Sequence, residues 1–240
     1  MKAVITGASG DIGSAIARAF MDRGDHVALL YHNDEKSASA LASYGAARGV
    51  MAVPCKVDFS NAQGTTDALD GLLGVFGAPD ILVNAAGVDD YALALDTSAA
   101  TWDRIFDINA RSVFLASVWA AKNMPAGGRI VNISSIWGSR PAPCEAAYAA
   151  SKAAVESFTK SFAAEVGSLG VTVNAVAAGL IDTKMNARFT EEEKEAFADT
   201  LAIKRQGRTE DVVNAVLFFA DEKSDYITGQ VLEVSGGMKK

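Results

Sequence analysis

Runs of apolar and β-branched residues recur along the chain at nearly regular intervals, and segments of helix length separate them. Such runs have the composition of strands that are buried on both faces, as in a parallel sheet covered by helices. The pattern predicts a doubly wound α/β fold in three layers. The predicted strands lie at about residues 2–6, 27–31, 50–55, 80–84, 128–134, 171–177 and 231–234.

No polar linker, repeat or low-complexity tract interrupts this alternation, so we expect one domain over residues 1–240. A polar, helix-prone segment at about 180–206 stands out from the apolar pattern, and we interpret it as a lid. Thr190 and Glu193 have the spacing of a capping box at the start of its helix. The acidic run at 191–193 is expected to complement the helix dipole rather than to bind substrate.

Four of the predicted strands are followed by loops rich in glycine and small polar residues. In a doubly wound sheet the ligand lies outside the carboxyl ends of the strands, where the strand order reverses. We therefore expect the four loops to converge on one crevice. They read TGASGDIG, NAAG, SSIWG and AAGLIDTKM in chain order.

The first of these loops carries Gly7, Gly10 and Gly13, spaced three apart between a buried strand and an amphipathic helix. Free N–H groups and the helix dipole at such a helix N-terminus favour negative charge. The turn predicts a site for a diphosphate.

Tyr148 and Lys152 lie four residues apart in a predicted helix, and Ser135 ends the fifth predicted strand. The spacing places a phenol and an ammonium one helical turn apart, so both can point into the same space. A packed tyrosine beside a solvated lysine is the alternative. The presence of Ser135 and the glycine turn in the same chain favours acid catalysis.

Charge and composition exclude several other classes of function. The net charge of −7 opposes binding to a nucleic-acid backbone, and no cluster of basic residues offsets it. No apolar run is long enough for a membrane span, and the first strand begins too early for a signal peptide, so we expect a cytoplasmic protein. Cys55 and Cys144 are isolated, which predicts free thiols and no metal site.

Together these motifs resemble the short-chain dehydrogenase/reductase family, and the resemblance extends from Lys2 to Met238. It implies a seven-stranded Rossmann-type sheet, a nicotinamide cofactor, and hydride transfer to or from a carbonyl or alcohol carbon. The matching elements are the glycine turn, Asn84 with Ala86 and Gly87, Asn109, Ser135, Tyr148 with Lys152, and the segment ITGQVLEVSGG.

The resemblance also implies the catalytic roles. Tyr148 donates a proton to the carbonyl oxygen, and Ser135 hydrogen-bonds the same oxygen. Lys152 binds the nicotinamide ribose and is expected to make the phenol more acidic, because a nearby cation favours the phenolate. Asn109 holds a water that links Lys152 to solvent, although a simple role in bending its helix competes with this interpretation.

Cofactor choice depends on the end of the second strand, where an acidic residue would accept hydrogen bonds from a ribose 2′-OH. That position is Tyr31, so we favour NADPH over NADH; His32 is equally well explained as an exposed loop residue. The full set of predicted cofactor-binding residues is Gly7, Ser9, Gly10, Asp11, Ile12, Tyr31, His32, Asn33, Val57, Asn84, Ala85, Ala86, Gly87, Tyr148, Lys152, Gly179, Ile181 and Thr183.

The chain as a whole resembles the bacterial 3-oxoacyl-[acyl-carrier-protein] reductases, which implies a small or carrier-linked ketone as substrate. A subgroup that reduces the 5-aminopentanone group on elongation factor P is the alternative. Trp137, Cys144 and Glu145 are expected to flank the substrate. Glu145 could pair with a substrate ammonium, or it could be a solvated loop residue or meet a partner subunit.

Two other classes of function explain the sequence less well than a reductase does. A nucleotide-sensing binding protein would not need all four catalytic positions, and a methyltransferase gives no reason for Ser135 and the Tyr148/Lys152 spacing. The predicted helices at about 101–122 and 148–168 are apolar on more than one face, which suggests a homo-oligomer. The family resemblance implies a homotetramer.

Overall fold

The structure, a computed structural model, describes residues 1–238 and is built around one sheet of seven parallel strands. The strand order is β3-β2-β1-β4-β5-β6-β7, so the order reverses between β1 and β4. The strands are β1 (Lys2–Thr6), β2 (His26–Tyr31), β3 (Ala52–Lys56), β4 (Ile81–Asn84), β5 (Arg129–Ser135), β6 (Thr172–Ala178) and β7 (Val231–Val234).

Helices connect the strands and cover the sheet. They are α1 (Asp11–Asp22), α2 (Glu35–Ala46), α3 (Ala62–Phe76), α4 (Ala99–Phe106), α5 (Ser112–Asn123), α6 (Ala146–Val166), α7 (Glu191–Asp199) and α8 (Thr209–Ala220). One apolar cluster joins the sheet to α1, α2 and α8, and the other joins it to α3, α5 and α6. The predicted three-layer, doubly wound α/β fold is confirmed.

The predicted strands agree with the observed ones except at the start of β3. Val50 and Met51 were assigned to this strand, but β3 begins at Ala52. The backbone N–H of Val50 instead donates to the carbonyl of Gly45, because the chain turns back at Gly49, which has a φ of 71°. Val50 is buried for another reason: it packs against α2 at the end of that helix.

The helix predicted at about 101–122 is interrupted. α4 ends at Phe106, a π-helical turn follows at Asp107–Arg111, and α5 then begins at Ser112. A π turn contains one extra residue per hydrogen-bonded ring, so it changes which side chains face the sheet. Asn109 lies in this turn.

Candidate active site

The loops after β1, β4, β5 and β6 border a cavity of about 350 Å³ at the carboxyl ends of the strands. The lid segment, which contains a 3-10 turn at Lys184–Asn186 and helix α7, covers this cavity. Residues from these loops, from the lid and from the starts of α1 and α6 line the cavity; they include Ile12, Ala85, Gly87, Ser135, Trp137, Glu145, Tyr148, Lys152, Gly179, Ile181 and Thr183. The predicted convergence of four loops on one crevice is therefore confirmed.

The glycine turn has the geometry that a diphosphate needs. Gly7 adopts a φ of 65°, and a Cβ at Gly7 would lie 2.7 Å from the Cα of Ala86. A Cβ at Gly13 would lie 2.2 Å from the carbonyl oxygen of Gly7. Gly10, the N-cap of α1, has more room, since its nearest neighbour would be 3.4 Å away. The turn thus presents the N-terminus of α1 without a side chain at the cap, which fits a dinucleotide phosphate.

The same turn is held against the loop after β4. The hydroxyl of Thr6 accepts hydrogen bonds from the backbone N–H groups of Ala85 and Ala86, each at 3.1 Å. Asn84 does not face the cavity with its side chain. Its Nδ2 donates to Ser117 and Asn132 in the protein interior, so the predicted cofactor residue links β4 to its neighbours from within.

The residues expected to choose between coenzymes lie at and after the end of β2, and they are not among the residues that line the cavity. Tyr31 is buried at the last position of the strand, and burial raises the pKa of its phenol. His32 and Asn33 follow in an exposed turn, with His32 Nε2 3.8 Å from Asp58 Oδ1. Val57 is buried beside them, and its N–H donates to the Tyr31 carbonyl.

Ser135, Tyr148 and Lys152 all line the cavity. Ser135 ends β5, whereas Tyr148 and Lys152 lie on successive turns of α6. The ammonium of Lys152 is buried, donates to the carbonyl of Ile133 at 2.9 Å, and lies 5.6 Å from the centre of the Tyr148 ring. The phenol and the amine therefore share one space, as their spacing in the sequence predicts.

Burial dominates the electrostatics of this pair. It lowers the pKa of Lys152 to about 8, because an ammonium removed from water loses solvation, while the charge of Asp89 opposes the change. Burial also raises the pKa of Tyr148, and a hydrogen bond with Ser135 opposes this. Desolvation of the phenolate therefore dominates in this structure, and the effect of Lys152 on the acidity of the phenol stays a prediction.

Asn109 is fully buried and closes the side of the site below Lys152. Its Oδ1 accepts from the N–H of Val88, and its Nδ2 donates to the Val88 carbonyl and to the Ser151 hydroxyl. A Cβ on Gly87 would lie 3.5 Å from both Asn109 Oδ1 and Lys152 Nζ. The π turn thus places Asn109 near Lys152 with its amide bonded to Val88 and Ser151, and its role in holding a water stays a prediction.

The loop after β6 ties the lid to the glycine turn. Gly179 approaches Ser235 so closely that a Cβ would lie 2.8 Å from the Ser235 Cα. Ile181 is buried and Thr183 lines the cavity two residues further on. The carboxylate of Asp11 accepts a 2.6 Å hydrogen bond from the N–H of Lys184, so this predicted cofactor residue uses its side chain to hold the lid.

Of the three predicted substrate residues, Trp137 and Glu145 line the cavity. The thiol of Cys144 instead contacts the hydroxyl of Tyr91, and Cys144 has a φ of 65°, which directs the chain into α6. Glu145 is buried and pairs with Arg188, so the interpretation of a solvated loop residue is wrong. Burial, with the adjacent charge of Asp89, raises the pKa of Glu145 to about 6 despite the opposing effect of Arg188.

Several residues that border the cavity belong to no motif of the sequence. Asp89, two residues after the NAAG loop, and Arg188 in the lid form an ion pair, and Arg188 also pairs with Glu145. We call these three residues the arginine clasp. Aromatic rings from the lid and from the loop after β4 complete the wall; they are Tyr91, Phe189 and Phe197. In the sequence, Asp89 is marked only as one of two adjacent aspartates, Asp89 and Asp90, after the NAAG loop. Its contact with Arg188 joins residues so far apart in the chain that no spacing pattern predicts it.

No group of three or more His, Cys, Asp or Glu side chains within residues 1–238 is arranged to hold a metal ion. None of the helices described over the same range is sufficiently long and apolar to cross a membrane.

Comparison with known proteins agrees with the fold and the site. The protein family described as Enoyl-(Acyl carrier protein) reductase matches residues 7–239. The 3-oxoacyl-[acyl-carrier-protein] reductase FabG of Staphylococcus aureus strain Mu50 is 36% identical over 239 residues, covering 99% of this chain and 97% of the relative. A solved short-chain dehydrogenase/reductase from Serratia marcescens aligns with a TM-score of 0.94 at 35% identity, covering 100% of this chain and 98% of that one.

A solved short chain dehydrogenase from Burkholderia cenocepacia J2315, in complex with NADP, aligns with a TM-score of 0.94 at 34% identity over 98% of this chain and 96% of that one. These matches cover nearly the whole chain and include the glycine turn and the segment with Ser135, Tyr148 and Lys152. They favour an oxidoreductase over the non-enzymatic nucleotide sensor and the methyltransferase. The chain belongs to the short-chain dehydrogenase/reductase family and is an oxidoreductase.

Proposed function

We propose that the protein is an NADPH-dependent carbonyl reductase that converts a ketone to an alcohol. The observation that carries the proposal is the meeting of Ser135, Tyr148 and Lys152 in one cavity beside the glycine turn. A bound nicotinamide coenzyme supplies a hydride, which carries the two electrons of the reduction. Tyr148 supplies the proton, so that C=O becomes CH–OH, and the Ser135 hydroxyl holds the substrate oxygen.

The raised pKa of Tyr148 suits a proton donor. At neutral pH the phenol keeps its proton, which a reduction needs. The alkoxide formed from the ketone is a much stronger base than a phenolate, since the pKa of water, a comparable O–H acid, is roughly 15.7. Proton transfer from Tyr148 to the product oxygen is therefore favourable even though burial makes the phenol a weaker acid than in water.

We assign Lys152 and Asn109 to the support of this step. Lys152 is buried beside Gly87 and carries a positive charge over much of the neutral range, because its pKa lies at about 8. It would hold the nicotinamide ribose, and its ammonium can return a proton to Tyr148. Asn109, fixed through Val88 and Ser151, positions the chain around Lys152.

NADPH is proposed over NADH because β2 ends in Tyr31 rather than in an acidic residue. A carboxylate there would accept from a 2′-hydroxyl and repel a 2′-phosphate. His32 and Asn33 are exposed in the following turn, where they could contact the phosphate. The NADP complex of the Burkholderia relative supports this choice. The glycine turn, with Ser9, Gly10 and Ile12, would hold the diphosphate.

We propose a 3-oxoacyl group, free or linked to a carrier, as the ketone. The curated relative is a 3-oxoacyl-[acyl-carrier-protein] reductase. The cavity of about 350 Å³ is lined mainly by apolar side chains such as Trp137, Met185 and Phe197, which suits a short acyl chain. The whole chain would act as one domain with a lid at about 180–206.

The test is coenzyme oxidation by the purified protein with three substrates: an acetoacetyl thioester, a neutral diketone and an aminoketone. We expect turnover of the thioester, with kcat/KM for NADPH at least tenfold above that for NADH. Faster turnover with NADH would contradict the coenzyme assignment. Absence of coenzyme oxidation with every ketone would contradict the reductase itself.

The reduction of an aminoketone, such as the 5-aminopentanone group on elongation factor P, is a second candidate. One observation favours it. The cavity contains two buried carboxylates, Asp89 and Glu145, and both pair with the same guanidinium, that of Arg188. Within residues 1–238, Oδ1 of Asp89 is buried and has no hydrogen-bond partner. A substrate ammonium would supply the missing donor, so Asp89 is a better partner for it than Glu145.

Asp89→Asn separates the two candidates when an aminoketone is compared with a neutral ketone of the same length. If the ammonium binds Asp89, kcat/KM should fall about tenfold more for the aminoketone, the equivalent of about 1.4 kcal/mol. Asp96→Asn, an exposed aspartate further along the same loop, is the matched control. Equal losses for the two ketones would exclude the ammonium site.

A further inference from the structure

Arg188 is the lid residue that reaches furthest into the site. Its two terminal nitrogens pair with separate carboxylates, Nη1 with Asp89 Oδ2 and Nη2 with Glu145 Oε1. Both acidic side chains are more than nine-tenths buried, at 7% and 8% exposure. The guanidinium also packs against two rings, with its carbon 4.8 Å from the centre of Tyr91 and 4.7 Å from that of Phe189.

The clasp joins three elements that are distant in sequence. Asp89 follows β4, Glu145 is the N-cap of α6 three residues before Tyr148, and Arg188 belongs to the lid. All three line the same cavity as the Tyr148 phenol. The other ionisable side chains that line this cavity are Tyr91, Lys152, Glu193 and Lys194.

Opposite charges in this small volume act on the phenol in opposite directions. Asp89 and Glu145 add to the effect of burial in raising the pKa of Tyr148, because a carboxylate disfavours a nearby phenolate, whereas Arg188 lowers it. The two carboxylates are fixed to the sheet and to α6. Arg188, by contrast, is attached to the lid, so its charge is present at the site only while the lid is closed.

We propose that Arg188 is a positioning residue that couples closure of the lid to proton transfer at Tyr148. With the lid closed, the guanidinium offsets the carboxylates of Asp89 and Glu145. With the lid open, the phenol faces two uncompensated carboxylates and is a weaker acid than in the closed state. Proton transfer is thereby faster when the lid is closed. This inference rests on the proposed reductase function.

The experiment follows oxidation of the product alcohol with NADP⁺, in which Tyr148 must lose its proton and the rate rises with pH. We compare wild type, Arg188→Gln, the double variant Asp89→Asn/Glu145→Gln, and the triple variant that combines all three changes. The matched control is Arg205→Gln, which removes another arginine–aspartate pair, that with Asp211, outside the catalytic cavity. Ketone reduction is measured in parallel.

Arg188→Gln should move the rising limb to higher pH by about one pH unit and lower kcat/KM for reduction about tenfold, as expected for one charge near a partly buried group. The double variant keeps the Arg188 charge without the two carboxylates, so the rising limb of its pH–rate profile should move to lower pH. The triple variant should return the limb close to the wild-type position, and Arg205→Gln should leave it there.

A merely structural role for Arg188 would not move the limb in opposite directions in the single and double variants, nor return it in the triple variant. If the triple variant is as slow as Arg188→Gln and no limb moves, the inference is overturned. If Arg188→Gln does not fold, the double variant alone decides, since an unmoved limb there also overturns it. Wild type that fails to use any ketone would instead contradict the proposed function, so the two failures are distinguishable.

Discussion

At the scale of single residues, the three glycines of the first turn have different physical roles. A Cβ added at Gly7 or Gly13 would lie closer to neighbouring backbone atoms than real Cβ atoms come. Gly10 has only an ordinary contact, with the carbonyl of Gly7, and it caps the helix that would receive the diphosphate. Folding therefore requires Gly7 and Gly13, whereas we propose that coenzyme binding is the reason for Gly10.

We predict that Gly10→Ala folds with nearly wild-type thermal stability but raises the KM for NADPH at least tenfold, because a methyl group would lie where the diphosphate approaches. Gly13→Ala should instead lower the free energy of unfolding by several kcal/mol or prevent folding, since backbone clashes of this kind leave no room to relax. Thermal unfolding and coenzyme titration measure the two effects. Gly71→Ala, at a helical position with open space, is the control.

Local spacing explains which site residues the sequence could predict. Tyr148 and Lys152 are one helical turn apart, and Ser135 ends a strand, so helix geometry and strand order were sufficient to bring them together. The arginine clasp depends on where the lid folds over the sheet. No local rule fixes this, so Asp89 and Arg188 could not be predicted as a pair. Burial, which raises the pKa of the Tyr148 phenol, likewise depends on tertiary packing and leaves no signal in the sequence.

At the scale of elements, α7 is the least anchored helix of the site. Among the described residues of this helix none is fully buried. Its start is held by the predicted capping box, which the structure confirms: Thr190 Oγ1 accepts from the N–H of Glu193, and the Glu193 carboxylate accepts from the N–H of Thr190. Local capping, rather than core packing, therefore stabilises the lid helix.

Thr190→Ala should destabilise α7 locally by about 1 kcal/mol, the usual effect of losing such a cap. The amides of residues 191–199 should then exchange with deuterium about fivefold faster, while the global melting temperature changes little, because the core is untouched. Thr190→Ser, which retains the hydroxyl, serves as the control. A large fall in melting temperature without faster exchange in α7 would contradict this prediction.

Elements were predicted well where their pattern is local and apolar. The seven strands were recovered because each is a short apolar run with defined ends. The π turn at Asp107–Arg111 was missed, because its sequence fits an ordinary helix and only the contacts of Asn109 with Val88 and Ser151 explain the extra residue. Boundaries set by tertiary contacts do not leave a periodic signal.

At the scale of the whole molecule, α5 and α6 carry aromatic side chains that a single chain leaves partly uncovered. Phe114 is 49% exposed, and its ring packs edge-on against Phe158 at 6.0 Å between ring centres. Trp102, in the preceding helix, is also exposed and stacks on Phe106. We propose that this face is buried between subunits of a homotetramer, as the family resemblance implies.

Phe114→Glu should reduce the molar mass in solution from about four chains to two or one, because a carboxylate would be buried in the interface. Light scattering after size-exclusion chromatography measures this. Val75→Glu places the same charge at another exposed apolar residue, on α3, and should leave the assembly intact. A wild-type protein that elutes as a monomer would contradict the proposal.

The central claim is that the Tyr148 phenol is the proton donor for a ketone reduced by coenzyme hydride. Its most direct test is single-turnover oxidation of NADPH with saturating ketone by wild type and Tyr148→Phe, with NADPH binding measured separately by fluorescence. We predict that the variant binds NADPH with a Kd within about threefold of wild type but oxidises it at least a hundredfold more slowly, in line with the loss of a general acid. An undiminished rate in Tyr148→Phe would contradict the claim.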